Sequence, residues 1–339
     1  MGVVNHDQYV EMLERAKKNG FAYPAINVSS SQTLNAALAG LQEAGSDGIL
    51  QVTTGGADYW SGSKKNRVSG ALGFVAFARE VAKNYDIKVA LHTDHCNLEQ
   101  LDTFVHPLVE LSEEAVKQGK EPYFNSHMWD GSEVPLAQNL EIAQGLLKRL
   151  SNIGAVLEIE VGAVGGEEDG IEGAIDEHLY STVADGMATA EALGLGENGR
   201  YITALTFGNV HGVYKAGNVV LRPELLKDIQ AEVGKKYGKE KPFDLVFHGG
   251  SGSSEEEISN AVKYGVIKMN IDTDLQYAFT RPIADHMFKN YNGVLKVDGD
   301  VGNKKTYDPR AWGKLAEAGM SARVVEAAQQ LGSAGKSKW

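Results

Sequence analysis

The chain has 339 residues, 42% of them hydrophobic and 23% charged, a composition typical of a globular protein with a large core. Its 33 basic and 45 acidic residues give a formal net charge of −12, which disfavours nucleic acid or an anionic membrane as the main partner, because both bind basic surfaces. No apolar run approaches the ~18 residues of a membrane span, and Cys96 has no second cysteine to pair with, so we expect a cytoplasmic protein.

Residues 1–20 have a helical pattern and no apolar signal core. After them, eight short apolar runs alternate with segments of helical periodicity, as expected for strands that are buried on both faces of a parallel sheet. The predicted strands are 21–28, 48–53, 88–94, 122–128, 155–161, 201–207, 244–247 and 266–271, and the helical patterns include 32–44, 69–84, 98–118, 136–150, 223–237 and 254–264. Eight strand–helix units close an α/β (β/α)8 TIM barrel, and the N-terminal helix could cover its base.

Two stretches are longer than a barrel needs. Residues 163–200 form a glycine- and acid-rich insertion after the fifth predicted strand, which predicts a long mobile loop that acts as a lid. Residues 291–339 follow the last barrel helix and include a helical segment, 309–331, that we expect to pack on the barrel exterior or on a neighbouring subunit. The absence of repeats and flexible linkers predicts a single domain, 1–339, with the barrel at about 21–290.

Polar residues that strands usually avoid lie at the C-terminal ends of nearly all the predicted strands. In a barrel these ends converge on one face, which is where catalytic residues lie. One such residue alone is more often a hydrogen-bonded loop-edge group, but this many together indicate an active site. They are Asn27, Thr53, Thr54, Asp94, His95, His127, Asp130, Glu158, Glu160, His211, His248, Asn270 and Asp272.

Three of the histidines in this set, His95, His211 and His248, follow different strands and could meet at one point. Neutral imidazoles are good Zn²⁺ ligands, and three protein ligands leave a coordination position open for substrate. His92 and His127 also lie near this face, so spacing alone does not decide which three bind metal. Cys96 would point away from His95 on extended backbone, which indicates a packing role.

Glycine-rich turns follow the seventh and eighth strands at 248–253 and 270–273, and both lead into helices. Such turns let backbone N–H groups approach an anion, and these loops are the frequent phosphate site of a TIM barrel. Residues 165–170 combine glycines with three acids, which fits a lid carrying an acid/base or a solvated acidic loop equally well. Asp94 could act as an acid/base beside a metal or orient one of its ligands. The residues therefore predict a metal-dependent barrel enzyme acting on a sugar phosphate, without specifying the reaction.

The motifs resemble those of the class II fructose-bisphosphate aldolases, in the family's order and across essentially the whole chain. The matching stretches are PAIN at 24–27, LHTDHC at 91–96, SHMWD at 126–130, LEIE at 157–160, GGEEDG at 165–170, FGNVHGVY at 207–214, FHGGSGS at 247–253, KMNIDT at 268–273 and YDPR at 307–310.

The resemblance implies a catalytic Zn²⁺ held by His95, His211 and His248, and a second metal site at Asp130 and Glu160. It also suggests a monovalent cation, Na⁺ or K⁺, near the phosphate site. The positions that would hold the dihydroxyacetone-phosphate half, with Asn27 beside them, are Gly212, Gly249, Gly250, Ser251, Asn270, Ile271, Asp272 and Thr273.

The other phosphate has two expected contacts. Thr53 falls where the family commonly has a serine; it keeps the hydroxyl group and adds a methyl group beside it. Arg310 matches an arginine that the neighbouring subunit contributes, which implies at least a homodimer.

The implied reaction is the reversible aldol cleavage of fructose 1,6-bisphosphate to dihydroxyacetone phosphate and glyceraldehyde 3-phosphate, in glycolysis and gluconeogenesis. Zn²⁺ would stabilise the enediolate, Asp94 would take the hydroxyl proton, and Glu168 rather than Glu167 would move the carbon-bound proton. Tagatose-bisphosphate aldolases share the metal site but tend to be shorter. A Schiff-base aldolase would need a central lysine, for which Lys268 is the nearest candidate, and a non-catalytic binding protein would be expected to lack Asp94 or a histidine.

Overall fold

Eight parallel strands close into a barrel in a computed structural model that describes residues 2–162, 164–168, 171–173, 179–211, 220–295 and 301–338. For residues 166–168, 171–173 and 211 it describes the backbone. In chain order the strands are β1 (Gly2–Val3), β2 (Tyr23–Asn27), β3 (Gly48–Val52), β4 (Lys88–Thr93), β5 (Ser126–Trp129), β6 (Val156–Val161), β7 (Gly165–Glu168), β8 (Ile171–Gly173), β9 (Tyr201–Leu205), β10 (Val210–His211), β11 (Leu245–Phe247) and β12 (Val266–Ile271).

The barrel runs in the order β2-β3-β4-β5-β6-β9-β11-β12, and β12 pairs with β2 to close it. Every pairing in the ring is parallel, which confirms the predicted TIM barrel and all eight predicted strands. The fourth strand, predicted at 122–128, begins only at Ser126. The guanidinium of Arg79 accounts for the difference, because it binds the carbonyl oxygens of Pro122 and Tyr123 at 2.6 and 3.2 Å and so ties them outside the sheet.

The helices are α1 (His6–Asn19), α2 (Ser31–Ala44), α3 (Thr54–Trp60), α4 (Arg67–Val81), α5 (Val105–Lys117), α6 (Leu136–Asn152), α7 (Val183–Leu193), α8 (Glu224–Tyr237), α9 (Glu255–Lys263), α10 (Thr273–Lys289), α11 (Tyr291–Val294), α12 (Lys304–Tyr307) and α13 (Pro309–Gln330). The predicted helix 98–118 divides into a 3₁₀ helix, Leu98–Thr103, and α5. No helix in the described part of the chain is long and apolar enough to cross a membrane.

The N-terminal helix covers the base of the barrel, as expected. A capping box starts α1, with the Asn5 side chain accepting from the Gln8 N–H at 3.0 Å. The buried residues of α1, which are Tyr9, Met12, Leu13 and Ala16, form a cluster with side chains of the barrel strands: Tyr23, Ile49, Ala90, Val156, Ile202, Val246 and Ile267. We call this cluster the apolar base.

The stretch 163–200 is not a single loop, contrary to the sequence prediction. It contains the antiparallel hairpin of β7 and β8, and then α7, which is the helix between barrel strands β6 and β9. The prediction missed α7 because its Ala-rich sequence gives little amphipathic contrast. The part in excess of the barrel is therefore the hairpin segment before α7.

The C-terminal extension packs on the barrel exterior through α13, which contacts α2 and α10. Glycines bring these helices close together. A Cβ at Gly40 would lie 2.6 Å from the Ser321 carbonyl oxygen, and a Cβ at Gly319 would lie 2.5 Å from that of Ala278.

Candidate active site and metal centre

A cluster of imidazoles and carboxylates lies at the C-terminal ends of the barrel strands. Strand β4 ends at Thr93, and the backbone then takes a positive φ of 25° at His95, a conformation uncommon outside glycine and often found at functional sites. This bend breaks the alternation of a strand, so the adjacent residues Asp94 and His95 reach the same place. One ligand atom each from Asp94, His95 and His248 lies within 4.8 Å of the others.

Two further carboxylates surround these histidines. His95 Nδ1 lies 2.9 Å from Asp130 Oδ2 and 3.7 Å from Glu160 Oε2, and the three residues form a second group of potential ligands. Asp130 is held in place by Ser132, whose N–H and hydroxyl donate to Oδ1 at 3.1 and 2.6 Å. Burial raises the pKa of Asp130, but the hydrogen bond and charge of His95 lower it by more, so the carboxyl group stays ionised.

His248 bridges two buried glutamates. Its Nε2 lies 2.7 Å from Glu158 Oε1 and its Nδ1 lies 3.0 Å from Glu160 Oε2. Burial lowers the pKa of His248, but the hydrogen bonds to the two carboxylates outweigh burial and raise it to about 9. Metal binding by this ring would therefore release a proton.

The donor set fits a divalent metal. The rings of His95 and His248 have centroids 4.8 Å apart, and carboxyl groups lie beside both, which is the ligand chemistry of Zn²⁺. The third predicted ligand, His211, ends β10, and its side chain lies outside the described residues.

His92 and His127, the competing histidines, are both fully buried and hydrogen-bonded within the barrel. His92 Nδ1 lies 2.8 Å from Ser126 Oγ, and His127 Nδ1 lies 2.8 Å from Thr93 Oγ1. Burial lowers the pKa of His92 to about 4 and that of His127 to about 3, so both rings are neutral.

His127 belongs to none of the potential ligand groups found in the described ranges. His92 forms a group with Asp94 and Glu158, but the Lys268 ammonium already lies 2.8 Å from Glu158 Oε2. This favours a hydrogen-bonding role over metal ligation for both rings.

Asp94 is held by three side-chain amides and is almost completely buried. Asn270 Nδ2 donates to its Oδ1 at 3.0 Å, while Asn27 Nδ2 and Gln51 Nε2 donate to its Oδ2 at 3.0 and 2.8 Å. Burial raises the pKa of Asp94, but the charges of His95, Lys268 and His248 outweigh it, so the pKa lies below its usual value. The site thus contains a fixed, ionised proton acceptor.

Gln51, Glu158 and Lys268 also belong to this site. Glu158 was predicted only as one of the polar strand-end residues, Lys268 was considered only as a Schiff-base lysine, and Gln51 was not predicted. Lys268 Nζ donates to Asn270 Oδ1 at 2.6 Å and pairs with Glu158, and Gln51 donates to both Asn27 and Asp94. Gln51 and Lys268 are polar residues in the middle of buried apolar strands, GILQV and VIKMNI. That placement was the available signal.

The predicted phosphate loop is shaped by glycines. Gly249 has a φ of 58°, and a Cβ there would lie 2.7 Å from the Val210 carbonyl oxygen. A Cβ at Gly250 would lie 2.1 Å from the end of the Met269 side chain. After Ser251 the loop reaches Ser254, the N-cap of α9. Side chains are thus excluded from the part of the loop that an anion would approach.

The other predicted phosphate contacts lie on several different elements. Thr53 caps α3 by accepting from the Gly56 N–H at 2.9 Å, and with Asn27 and Asp272 it lines a cavity of about 80 Å³. Ile271 is buried at the end of β12, Asp272 is the N-cap of α10, and Thr273 begins that helix. Gly212 lies outside the described residues.

Arg310 lies outside the cluster, in the first turn of α13. Its side chain is 83% exposed, and Nε and Nη2 bind Asp308 at 3.0 and 2.6 Å. Glu168 ends β7, and its side chain lies outside the described residues.

Comparisons with a family model, with related sequences and with solved structures all find fructose-bisphosphate aldolases. A family model described as fructose-bisphosphate aldolase class-II matches residues 7–336. The fructose-bisphosphate aldolases of Streptomyces coelicolor and Corynebacterium glutamicum are 62% and 58% identical to this chain, with 99% of each chain covered. A crystal structure of fructose-bisphosphate aldolase from Campylobacter jejuni is 39% identical, with a TM-score of 0.87, and the match covers 99% of this chain and 97% of that one.

Proposed function

The chain belongs to the class-II fructose-bisphosphate aldolase family, and we propose that its carbon–carbon lyase reaction takes place at the cluster around Asp94, His95 and His248. The reaction is the reversible cleavage of fructose 1,6-bisphosphate to dihydroxyacetone phosphate and glyceraldehyde 3-phosphate, a step of glycolysis and gluconeogenesis. The family match and the relatives above, all fructose-bisphosphate aldolases, give no support to the tagatose alternative.

The observation that carries this proposal is the arrangement of Asp94 beside the two histidines. Three amide donors fix its carboxylate, and the charges of His95, Lys268 and His248 keep it ionised, so that it can accept the proton of the substrate hydroxyl that becomes the aldehyde oxygen. In condensation the same carboxyl group returns the proton. Lys268 does not fit a Schiff base, because its ammonium is fully buried and paired with Glu158.

We propose that His95, His248 and His211 hold a catalytic Zn²⁺, and that Asp130 and Glu160 form a second metal site with His95. A bound Zn²⁺ would supply Lewis-acid polarisation of the ketone and stabilise the charge that develops on its oxygen. The donor chemistry supports this assignment, because imidazole and carboxylate are the ligands that this ion prefers. A monovalent cation, Na⁺ or K⁺, near the phosphate loop remains part of the proposal.

We propose that Glu168 transfers the carbon-bound proton of dihydroxyacetone phosphate. The strand that carries it, β7, pairs in parallel with β10, in the register Gly165 with Val210 and Gly166 with His211. The backbone of the hairpin segment is thus joined to the segment that carries a proposed zinc ligand. This pairing supports a hairpin that covers the substrate and excludes water from the reaction.

The phosphate groups would lie against the loops that follow β11 and β12. The close backbone approach at Gly249 supports this assignment, because its positive φ and the Val210 carbonyl oxygen favour glycine there. The residues proposed to bind substrate are Asn27, Thr53, Gly212, Gly249, Gly250, Ser251, Asn270, Ile271, Asp272 and Thr273.

A homodimer or higher homo-oligomer is supported by the surface of α10 to α12. Phe288 and Val301 are 81% and 86% exposed there, and Tyr277 and Tyr291 are also exposed. Several large exposed apolar side chains in one segment of the chain are typical of protein interfaces. We propose that Arg310, at the start of the neighbouring helix α13, reaches the second phosphate in the active site of the partner subunit.

The remaining features concern the whole chain. We propose a single domain, since α13 packs on the barrel helices α2 and α10. A cytoplasmic location agrees with the lone buried cysteine, Cys96.

The decisive experiment compares cleavage of fructose 1,6-bisphosphate with cleavage of tagatose 1,6-bisphosphate, before and after treatment with EDTA and after Zn²⁺ is restored. We expect a strong preference for the fructose isomer, loss of activity with EDTA, and recovery with Zn²⁺. Activity that survives thorough metal removal, or an adduct trapped by borohydride, would contradict the proposed mechanism.

A further inference from the structure

The buried ammonium group of Lys268 lies among the polar side chains at the C-terminal ends of the barrel strands. Lys268 is fully buried in β12, and its Nζ lies 2.8 and 3.1 Å from the two carboxylate oxygens of Glu158. The same Nζ lies 2.6 Å from Asn270 Oδ1. Glu158, on one side of the ammonium group, is hydrogen-bonded to His248. Asn270, on the other side, is hydrogen-bonded to Asp94.

The contact with Asn270 decides which way that amide points. A lysine ammonium can only donate, so it selects the amide oxygen of Asn270 as its partner. The amide nitrogen must then face the opposite way, where it donates to Asp94 Oδ1 at 3.0 Å. With the amide reversed, its oxygen would face the carboxylate oxygen, and the two acceptors would repel each other.

Asn270 is the only one of the three amides around Asp94 that binds Oδ1, among the residues that the structure describes. Asn27 and Gln51 both bind Oδ2. The orientation of the Asn270 amide therefore controls how the carboxylate is turned toward substrate. We propose that Lys268 is a positioning residue for Asp94, acting through the orientation of Asn270; this rests on the proposed role of Asp94 in proton transfer.

A partial reaction separates this route from the route through Glu158. Cleavage needs proton transfer at the hydroxyl assigned to Asp94. Exchange of the carbon-bound proton of dihydroxyacetone phosphate with solvent involves only the other half of the substrate, and does not use Asp94. Asn270 is itself proposed to contact dihydroxyacetone phosphate, so a lysine that acts through Asn270 should lower cleavage more than exchange. A lysine that acts through Glu158 and His248 should lower both alike.

The test compares Glu158→Gln with the double variant Glu158→Gln/Lys268→Met. The first substitution removes the buried carboxylate that Lys268→Met alone would leave without a cation, and it keeps the contact between Lys268 and Asn270. For the double variant relative to Glu158→Gln, we expect the cleavage kcat to fall by about ten- to a hundredfold, the size expected for loss of a hydrogen bond to a charged group. The exchange rate and the Zn²⁺ affinity, measured by chelator competition, should change by less than about threefold over the same step, well under one such bond.

Rescue provides the matched control. In the same background, Lys268→Gln keeps a donor for Asn270 Oδ1 and should retain more of the ratio of cleavage to exchange than Lys268→Met. Asn270→Ala, which removes the amide and keeps the lysine–glutamate pair, should lower that ratio in the way that Lys268→Met does. This variant carries the test if the methionine variant does not fold.

Cleavage and exchange that fall together, accompanied by weaker Zn²⁺ binding, would show that Lys268 acts through residue 158 and His248, and would overturn the inference. A cleavage kcat that does not change on removal of the lysine would show that Lys268 acts only through the Glu158 carboxylate, and would overturn it too. An unchanged ratio in Asn270→Ala would also overturn it. These results leave wild-type cleavage intact, so they are distinct from a failure of the proposed function, in which the wild-type enzyme itself does not cleave fructose 1,6-bisphosphate.

Discussion

The two ends of the barrel interior carry opposite chemistry on the same eight strands. At the N-terminal ends, the apolar base packs Tyr9, Met12 and Leu13 of α1 against strand residues such as Ile49 and Val156. At the C-terminal ends, the interior is filled by imidazole, carboxyl, ammonium and amide groups that are also buried but hydrogen-bonded to one another. This polar end consists of Gln51, His92, Asp94, Glu158, Glu160, His248, Lys268 and Asn270.

The contrast shows how the barrel separates stability from chemistry. Apolar packing is not directional, so the base can stabilise the closed ring without fixing the angle of any group. Buried charges are stable only when each has its partners, so the polar end must hold every group in a defined position. Substitutions at the base should therefore change stability and leave catalysis intact, and substitutions at the polar end should do more to catalysis.

The largest effect is expected for Asp94→Asn. The substitution keeps the size of the side chain and removes the proton acceptor, so we expect kcat for cleavage to fall by about 10²–10⁴-fold, the usual contribution of general acid–base catalysis. Steady-state kinetics would measure kcat, and circular dichroism would check that the variant keeps its fold. The matched control is Asp244→Asn, a buried acid near the base that pairs with Lys17 at 2.8 Å and with Arg200. It should lower stability while kcat stays within about twofold, and equal losses of kcat in both variants would contradict the separation.

The second effect is on stability at the polar end. Lys268→Met alone leaves the buried Glu158 carboxylate without its cation, and we expect the free energy of unfolding to fall by about 3–5 kcal/mol. Leu13→Ala at the base removes apolar packing of similar depth and should cost about 2–5 kcal/mol. Urea denaturation measures both.

The two variants should differ in what accompanies the loss. Leu13→Ala should keep kcat within about twofold under conditions where it is folded, because the base does not contact the reacting groups. Lys268→Met should lower kcat as well. A Leu13→Ala enzyme with a large kcat defect would show that the two ends are coupled.

Acidity should act on the polar end. Burial raises the pKa of Glu158, but the charge of Lys268 and the hydrogen bond and charge of His248 outweigh burial and hold the pKa well below its usual value. The stabilisation from the ionised carboxylate is therefore complete above the unfolded-state pKa of about 4.3 and is lost progressively as the pH falls below it. In urea denaturation of metal-free protein between pH 6 and 3, Glu158→Gln should lose stability less steeply than the wild type, by up to about 1.4 kcal/mol per pH unit. Parallel slopes would contradict this assignment.

Apolar periodicity predicted the strand ring because all eight strands are buried on both faces, and such strands leave a clear pattern. It failed where a single side chain overrides the pattern, as Arg79 does at the carbonyls before β5. It also missed α3 and α7, which are short or Ala-rich and have little apolar contrast.

The candidate site was only partly predictable, for a different reason. Polar residues at strand ends were visible in the sequence, but Gln51 and Lys268 lie inside strands. The apolar pattern of a buried strand does not indicate what a polar residue within it does. Their function is defined only by partners distant in sequence, such as Glu158 for Lys268. The positive φ at His95 likewise has no sequence signal, yet it brings His95 to the same side as Asp94.

The smallest effect compares two helix caps at opposite ends of the barrel. Thr53 caps α3 at the polar end, and Asn5 caps α1 at the base. Replacing either residue with alanine should lower the free energy of unfolding by about 1 kcal/mol, because a helix N–H loses its acceptor. Only Thr53→Ala should also raise KM for fructose 1,6-bisphosphate, since only Thr53 lies where the second phosphate is proposed to bind. Thr53→Ser keeps the hydroxyl and should change stability by no more than about 0.5 kcal/mol. Equal KM values for Thr53→Ala and Asn5→Ala would mean that the Thr53 hydroxyl serves α3 alone, and that the second phosphate depends on other groups, of which Arg310 of a partner subunit is the proposed one.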